Sequence, residues 1–309
     1  MNFKKVMLLL VISSVLVLAA CGADDDATND DATNDKDINY SEAVDYTIIG
    51  IEPGAGITVT TERAIDQEEG YESLAGWNLE QPSTTAMVTE LEAAIADEEP
   101  IIVTGWNPHW KFAQFPDLKY LDDPKGIYGE AENIETLARQ GFEEDNPEAF
   151  KLIEQFYWDV EDMEDIMYES SETGEDIDDV ARQWVEDNQD QVSEWIEGVE
   201  EGNGEEVEIV STPWDSERAS SGVLAAVLEE HGFDVTVTPV DVAVVFESIA
   251  NGDGDATVAA WLPFTHADFY ESVEDDVVHL GANLEGAKIG LVVPEYMGID
   301  SIEDLEPAE

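Results

Sequence analysis

Pro100-Ile-Ile-Val-Thr-Gly-Trp-Asn-Pro-His-Trp110 and Asp255-Ala-Thr-Val-Ala-Ala-Trp-Leu-Pro-Phe-Thr-His266 read as one device used twice. Each begins as a short apolar run, the pattern of a strand buried on both faces. Each run then enters Trp-x-Pro with a histidine just after: Trp106, Pro108, His109 in the first, Trp261, Pro263, His266 in the second. Large aromatics at the carboxyl end of a strand are either core or the wall of a pocket, and the surrounding sequence has to separate the two.

Working outward, the same order of elements precedes both endings. In the first copy, Tyr46–Ile51 is a strand, Glu52-Pro-Gly-Ala-Gly56 a turn-forming loop and Ile57–Gln67 a helix. Trp77–Gln81 is the second strand. Pro82-Ser83 opens a helix over Thr84–Asp97, with Met87, Val88, Leu91 and Ile95 at helical spacing, and Ile101–Thr104 is the third strand. In the second copy, Val207–Ser211 is a strand, Thr212–Glu217 a loop and Arg218–Glu230 a helix that stops at His231-Gly232. Asp234–Thr238 is a strand, Val242–Ala250 a helix ending at Asn251-Gly252, and Asp255–Ala260 the third strand. Two β-α-β-α-β units predict an α/β protein with parallel strands. In open parallel sheets ligands sit at the carboxyl ends of the strands. Trp106, Trp261 and Trp214, the last in the first loop of the second copy, all fall there.

Between the units, Asn133–Val199 reads as helical, with Asn146-Pro147-Glu148 as one helix start. Trp158, Trp184 and Trp195 lie in this stretch, where aromatics at helical spacing are core. Trp77 is also read as core.

Composition sets outer limits. With 309 residues, two lobes are expected rather than one core. The 12 basic and 74 acidic residues give a formal charge of −62, which repels phosphate backbones and argues against nucleic-acid binding. Acidic residues run through the whole chain, so they form a surface and not a tail. Because the Debye length shrinks to about 3 Å in 1 M salt, such a surface suits brine.

At the N-terminus, Lys4 and Lys5 precede the apolar run Val6–Leu18, which leads into Leu18-Ala-Ala-Cys21. The run is short for a membrane-spanning helix and ends in small residues, as an export signal does. Cys21 is the only cysteine, so no intrachain disulfide forms. The segment resembles a bacterial lipoprotein signal, which implies cleavage after residue 20 and lipidation of Cys21. The tandem Asp-Ala-Thr-Asn-Asp repeat at 26–35 is small and acidic, and residues 22–44 are expected to form a disordered tether.

Three tryptophans at strand or loop ends are compatible with an aromatic box, and equally with three core residues. A box has a chemical reason: a trimethylammonium group carries charge but no N–H to donate. Ring faces attract it without directional bonds, by about 0.5–2 kcal/mol each. The loop Pro53-Gly-Ala-Gly-Ile57 supplies the opposite feature. It opens a helix whose N-terminus favours an anion, yet it lacks the Gly-Lys-Ser/Thr ending of a phosphate loop. A carboxylate fits, with His266 as a second donor; a plain glycine turn and a surface histidine stay open. Together the two features describe a small zwitterion.

At this point the chain resembles the glycine betaine-binding lipoproteins of OpuA-type ABC importers. The matching stretches are IIGIEPGAGI, PIIVTGWNPHW, KYLDDPK, WDSE, AWLPFTH and GLVVPEYM, spread from residue 46 to the C-terminal region. The resemblance implies a two-lobe, type II periplasmic-binding-protein fold with a ligand cleft between the lobes. It implies lobe one at 45–121, with 293–309 returning to it, and lobe two at 122–292. It further implies that Trp106, Trp214 and Trp261 enclose the quaternary ammonium, while Gly56, Ile57 and His266 hold the carboxylate. The expected partners are glycine betaine or proline betaine, an importer's permease and ATPase, and the membrane through a lipid anchor on its outer face. A choline or carnitine receptor is the alternative. No cofactor or metal is expected, since the chain has no His/Cys cluster and no His-Glu-x-x-His. No Gly-x-Ser-x-Gly elbow supports a hydrolase, and a purely structural lipoprotein would not need tryptophans at matching strand ends.

Overall fold

The structure is a computed structural model; it describes residues 38–66 and 70–308. The expected signal segment, Cys21 and most of the expected tether lie outside the described residues. In chain order the elements of the first copy are α1 (Tyr40–Ala43), β1 (Thr47–Ile49), α2 (Gly56–Ile65), β2 (Asn78–Glu80), α3 (Thr84–Asp97) and β3 (Val103–Asn107). There follow α4 (Lys111–Gln114), β4 (Leu118–Tyr120), β5 (Glu132–Arg139), α5 (Phe142–Asp145), α6 (Pro147–Gln155), α7 (Val160–Thr173), α8 (Ile177–Asp187) and α9 (Gln189–Trp195). The second copy is β6 (Glu206–Ser211), α10 (Asp215–Glu230), β7 (Asp234–Pro239), α11 (Val242–Asn251) and β8 (Ala256–Leu262). The described chain closes with α12 (Ala267–Glu271) and β9 (Val277–Pro294).

The strands join in the order β2-β1-β3-β9-β5-β8-β6-β7, with β4 also on β9. Both copies therefore use one layout: the third strand inside, the first next to it, the second at the outer edge. Within each copy the pairs are parallel. What joins the copies is antiparallel. β9 is 18 residues long and changes partner along its length. Val277–Ala287 pair with β5, and Lys288–Val292 pair with β3. β5 in turn pairs with β8.

Local chemistry explains the elements that the sequence announces. Ser83 caps α3 by accepting the Ala86 N–H at 3.2 Å, and Met87, Val88 and Leu91 are buried on one face. Asn146 caps α6, with Pro147 as its first residue. The expected aromatic core is present: Trp158 and Trp195 are buried, both pack on Phe156, and Trp184 stacks on Trp195.

Two expectations need correction. The stretch from Asn133 does not start as a helix, because Asn133–Arg139 lie in β5. Ile134, Leu137 and Ala138 have the i, i+3, i+4 spacing of a helix face. A register shift between Glu135 and Leu137 is what lets a strand bury both Ile134 and Leu137. The tether is also shorter than expected. Asn39 caps α1, and buried Tyr40 accepts the Gly298 N–H at 3.2 Å, so the folded body begins before residue 45.

Ser83→Ala removes the one side-chain cap of α3 and is expected to lower stability by about 1 kcal/mol. Urea unfolding checks this, and an unchanged midpoint would contradict it.

Candidate functional site

The two tryptophans of the duplicated ending are part of their strands. Trp106 pairs with Ile289 of β9, and Trp261 pairs with Ile134 of β5. Each is fixed by a ladder on its inner side, one residue before its strand ends. In both copies the x-Pro bond that follows is cis, at Asn107-Pro108 and Leu262-Pro263. Trp214 stands at the N-cap of α10, and Gly56 and Ile57 begin α2. Both helices start at the carboxyl ends of first strands, where sheet topology brings the two copies face to face.

Trp106, Trp214, Trp261, Gly56, Ile57 and His266 all line one cavity, together with Ile51, Ala55, Ser216, Glu217, Thr265 and Ile289. The space among these residues is about 330 Å³, with the open mouth of the cavity included. Trp106 is 6% exposed and Trp261 4%, whereas Trp214 is only half-buried. Aromatic and aliphatic carbon supplies most of the lining.

The polar end is built from α2 and the turn after β8. The first turn of a helix leaves N–H groups without intrahelical partners, and those of Gly56 and Ile57 are in this position. Gly56 has no substitute: a β-carbon there would lie 2.5 Å from Thr265 Cγ2 and 2.6 Å from the Thr265 carbonyl oxygen. The two copies thus touch backbone to backbone at the cavity edge. His266 is buried, and burial pushes its pKa down to about 3, so the ring is neutral at ordinary pH. Its Nδ1 accepts the Trp261 N–H at 3.1 Å, while the His266 N–H donates to the Trp261 carbonyl at 2.9 Å. With Nδ1 accepting, the proton sits on Nε2, which makes that nitrogen a donor.

Three glutamates that the sequence did not single out, and Asp215 of the Trp214 loop, position these groups. Glu132 accepts the N–H groups of Phe264 and Thr265 at 3.1 and 3.0 Å and also the Thr265 hydroxyl, which fixes the turn that carries His266. Burial raises its pKa, against the lowering effect of those bonds. Glu217 accepts the Trp261 indole N–H at 2.7 Å. Glu52 accepts the Trp214 indole N–H at 3.4 Å and both the N–H and the hydroxyl of Thr84 at 2.8 Å. Asp215 accepts the Trp110 indole N–H at 3.2 Å. The last two bonds cross between the copies, as does the Arg63–Asp268 ion pair.

His109 and Trp110 brace rather than line. His109 Nδ1 accepts the Lys111 N–H at 3.0 Å, and its ring meets Trp106 edge-on at 4.7 Å. Lys111 is fully buried; its Nζ lies 3.9 Å from the Trp106 ring centroid and has no hydrogen-bond partner. Over a ring this would be a cation–π contact if the amine were charged. Burial without a partner favours the neutral amine instead, and it pushes the Lys111 pKa well down. Burial, and the nearby Lys111, likewise push the His109 pKa well down.

An unpartnered buried amine is a cost. Lys111→Met, similar in length and apolar, is expected to raise stability at pH 7 by about 1–3 kcal/mol. A lysine whose folded pKa is depressed makes folding shed a proton, so this penalty shrinks as pH rises toward the unfolded value near 10.4. Urea unfolding at pH 7 and pH 10 reads both effects; a less stable variant at pH 7 would contradict them.

The family described as the substrate binding domain of ABC-type glycine betaine transport systems matches residues 26–187 and 205–309. The chain is 41% identical over 296 residues to the glycine betaine/carnitine transport binding protein GbuC of Listeria monocytogenes, covering 96% of this chain and 95% of that one. Lactococcal OpuAC, in its closed form with glycine betaine, matches at 40% identity and a TM-score of 0.47, over 50% of this chain and 59% of that chain. A choline binding protein in complex with choline matches at 22% identity and a TM-score of 0.45, over 61% of each chain. The chain belongs to the family of substrate-binding domains of ABC-type glycine betaine transport systems.

Proposed function

We propose that this protein captures glycine betaine, and also proline betaine, and delivers it to the permease and ATPase of an ABC importer. The observation that carries this reading is the convergence of three indoles, a helix N-terminus and a neutral histidine on one mostly apolar cavity. Trp106, Trp214 and Trp261 enclose the trimethylammonium group. The N–H groups of Gly56 and Ile57 and the Nε2–H of His266 hold the carboxylate. Nothing in this chemistry breaks a bond; the family is a solute-binding component and not an enzyme.

The division of labour follows from electrostatics. Water competes poorly for a quaternary nitrogen, yet it screens the field of the rings. A cavity that closes and expels water strengthens the ring–cation attraction. We assign lobe one to about 45–121 and lobe two to about 122–292, with the end of the chain returning to lobe one. β9, hydrogen-bonded to both halves of the sheet, joins the two. Ligand release then requires the lobes to separate.

An extracytoplasmic location goes with an importer's receptor. Among the described residues no helix is long and apolar enough to cross a membrane. We infer that Cys21 carries a lipid anchoring the protein to the outer face of the membrane, with the acidic repeat as spacer. The charge of −62 fits a receptor that works in brine, where osmoprotectants are needed.

Choline and carnitine receptors are the second reading. Choline has no carboxylate, so it would leave the α2 N-terminus and His266 without a partner. Carnitine has both charges but sets them further apart.

Two measurements test the reading. Tryptophan fluorescence of the delipidated protein in high salt should saturate with glycine betaine. Trp106→Ala, Trp214→Ala and Trp261→Ala should each weaken binding by about 2- to 30-fold, the range of one ring–cation contact. Unchanged binding in all three would reject the cage. In a competition series choline is expected to bind at least about tenfold more weakly than glycine betaine, since it forgoes charge-assisted hydrogen bonds. Equal affinities would reject the carboxylate site.

A further inference from the structure

The cage contains a charge that ring faces alone do not explain. Glu217 is the third residue of α10, 2% exposed, and its side chain lines the same cavity as the three tryptophans. One carboxylate oxygen accepts the Trp261 indole N–H at 2.7 Å, and the other accepts the Ser216 hydroxyl at 2.6 Å. Among the described residues no cation pairs with it. Arg218, the next residue, turns away to Asp176 and Asp178 of α8, at 2.8 and 3.3 Å. The nearby charged groups are acidic: Asp215 on its own helix, and Glu52 behind Trp214. His266, across the cavity, is neutral.

We propose that Glu217 is a specificity-determining residue, whose negative charge selects ligands carrying a quaternary ammonium group over neutral ligands of the same shape. This rests on the reading of the cavity as a betaine site. Two routes act together. The carboxylate, itself buried, adds its own field to the cavity, and its charge is weakly screened there. By accepting the Trp261 N–H it also pushes electron density into that indole, which makes its face more attractive to a cation. A buried carboxylate without a cationic partner is costly. The first turn of α10 and two hydrogen bonds offset part of this cost, and the ligand's cation completes the offset on binding. Burial accordingly raises the Glu217 pKa, against the lowering effect of its hydrogen bonds.

A purely structural role, as acceptor for the Trp261 N–H, is separable from this one. Glu217→Gln keeps an acceptor oxygen and the size of the side chain, and removes the charge. The probes are glycine betaine and 3,3-dimethylbutanoate, its neutral-headed carbon isostere with the same carboxylate. Calorimetry should show that Glu217→Gln weakens glycine betaine by about tenfold or more, the scale of one charge–charge contact in a partly screened site. The isostere should bind unchanged or more tightly. Glu217→Asp, which keeps the charge, should keep most of the preference, and Glu217→Met replaces the Gln variant should that fail to fold. If the uncharged variant weakens both ligands equally, or neither, the inference falls while the betaine site stands. If the wild-type protein does not bind glycine betaine at all, the parent reading falls and takes this inference with it.

Discussion

A single run of backbone hydrogen bonds ties the two cage strands together. Trp261 is paired with Ile134, Ile134 with Leu284, and five residues further along the same strand Ile289 is paired with Trp106. One strand from each copy, plus β5 and β9 between them, therefore sets how two of the indoles face each other. The third indole, Trp214, is placed by its own helix start and pinned across the copies through Glu52. Side chains on flexible loops would lose affinity to ordering; here the box walls are ordered by the sheet before a ligand arrives.

Charge is arranged in opposite ways outside and inside. Outside, 74 acidic residues make a surface whose self-repulsion salt must screen. Inside, a few carboxylates do positional work: Glu132 holds the turn that carries His266, Glu52 and Asp215 hold indoles across the copies, and Glu217 faces the cavity. Lys111, buried behind Trp106, lacks a hydrogen-bond partner, and burial pushes its pKa well down. On the proposed reading, Glu217 and Glu52, which accept the Trp261 and Trp214 indole N–H groups, add negative charge at the ammonium end. The donors of Gly56, Ile57 and His266 make the other end receptive to an anion.

The duplicated β-α-β-α-β units were legible because helix periodicity, caps and Gly stops agree with the tertiary structure. α3 falls where Ser83 and the spacing of Met87 and Leu91 put it; the aromatic endings pointed to Trp106, Trp261 and His266, the loops and the family resemblance to Gly56, Ile57 and Trp214, and all six line one cavity. β5 was hidden because a bulge gave it the spacing of a helix face. β9 was hidden because its length serves two different partners, and Gly281 and Gly286 interrupt its pattern. Glu132, Glu217 and Glu52 were invisible for a compositional reason. In a chain this acidic, one more Glu carries no signal until its burial is known. In the WDSE stretch the tryptophan carries the signal, and nothing in the sequence marks the glutamate three residues on as buried.

The account stands on one geometric claim, that two copies of one motif close three rings on a quaternary nitrogen. The most direct measurement is a crystal structure of the protein with glycine betaine. The nitrogen should lie within about 6 Å of the Trp106, Trp214 and Trp261 ring centroids. The carboxylate should sit at hydrogen-bond distance from the N–H groups of Gly56 and Ile57 and from His266 Nε2. Betaine bound elsewhere, or held in this cavity with its carboxylate toward the indoles, would contradict it.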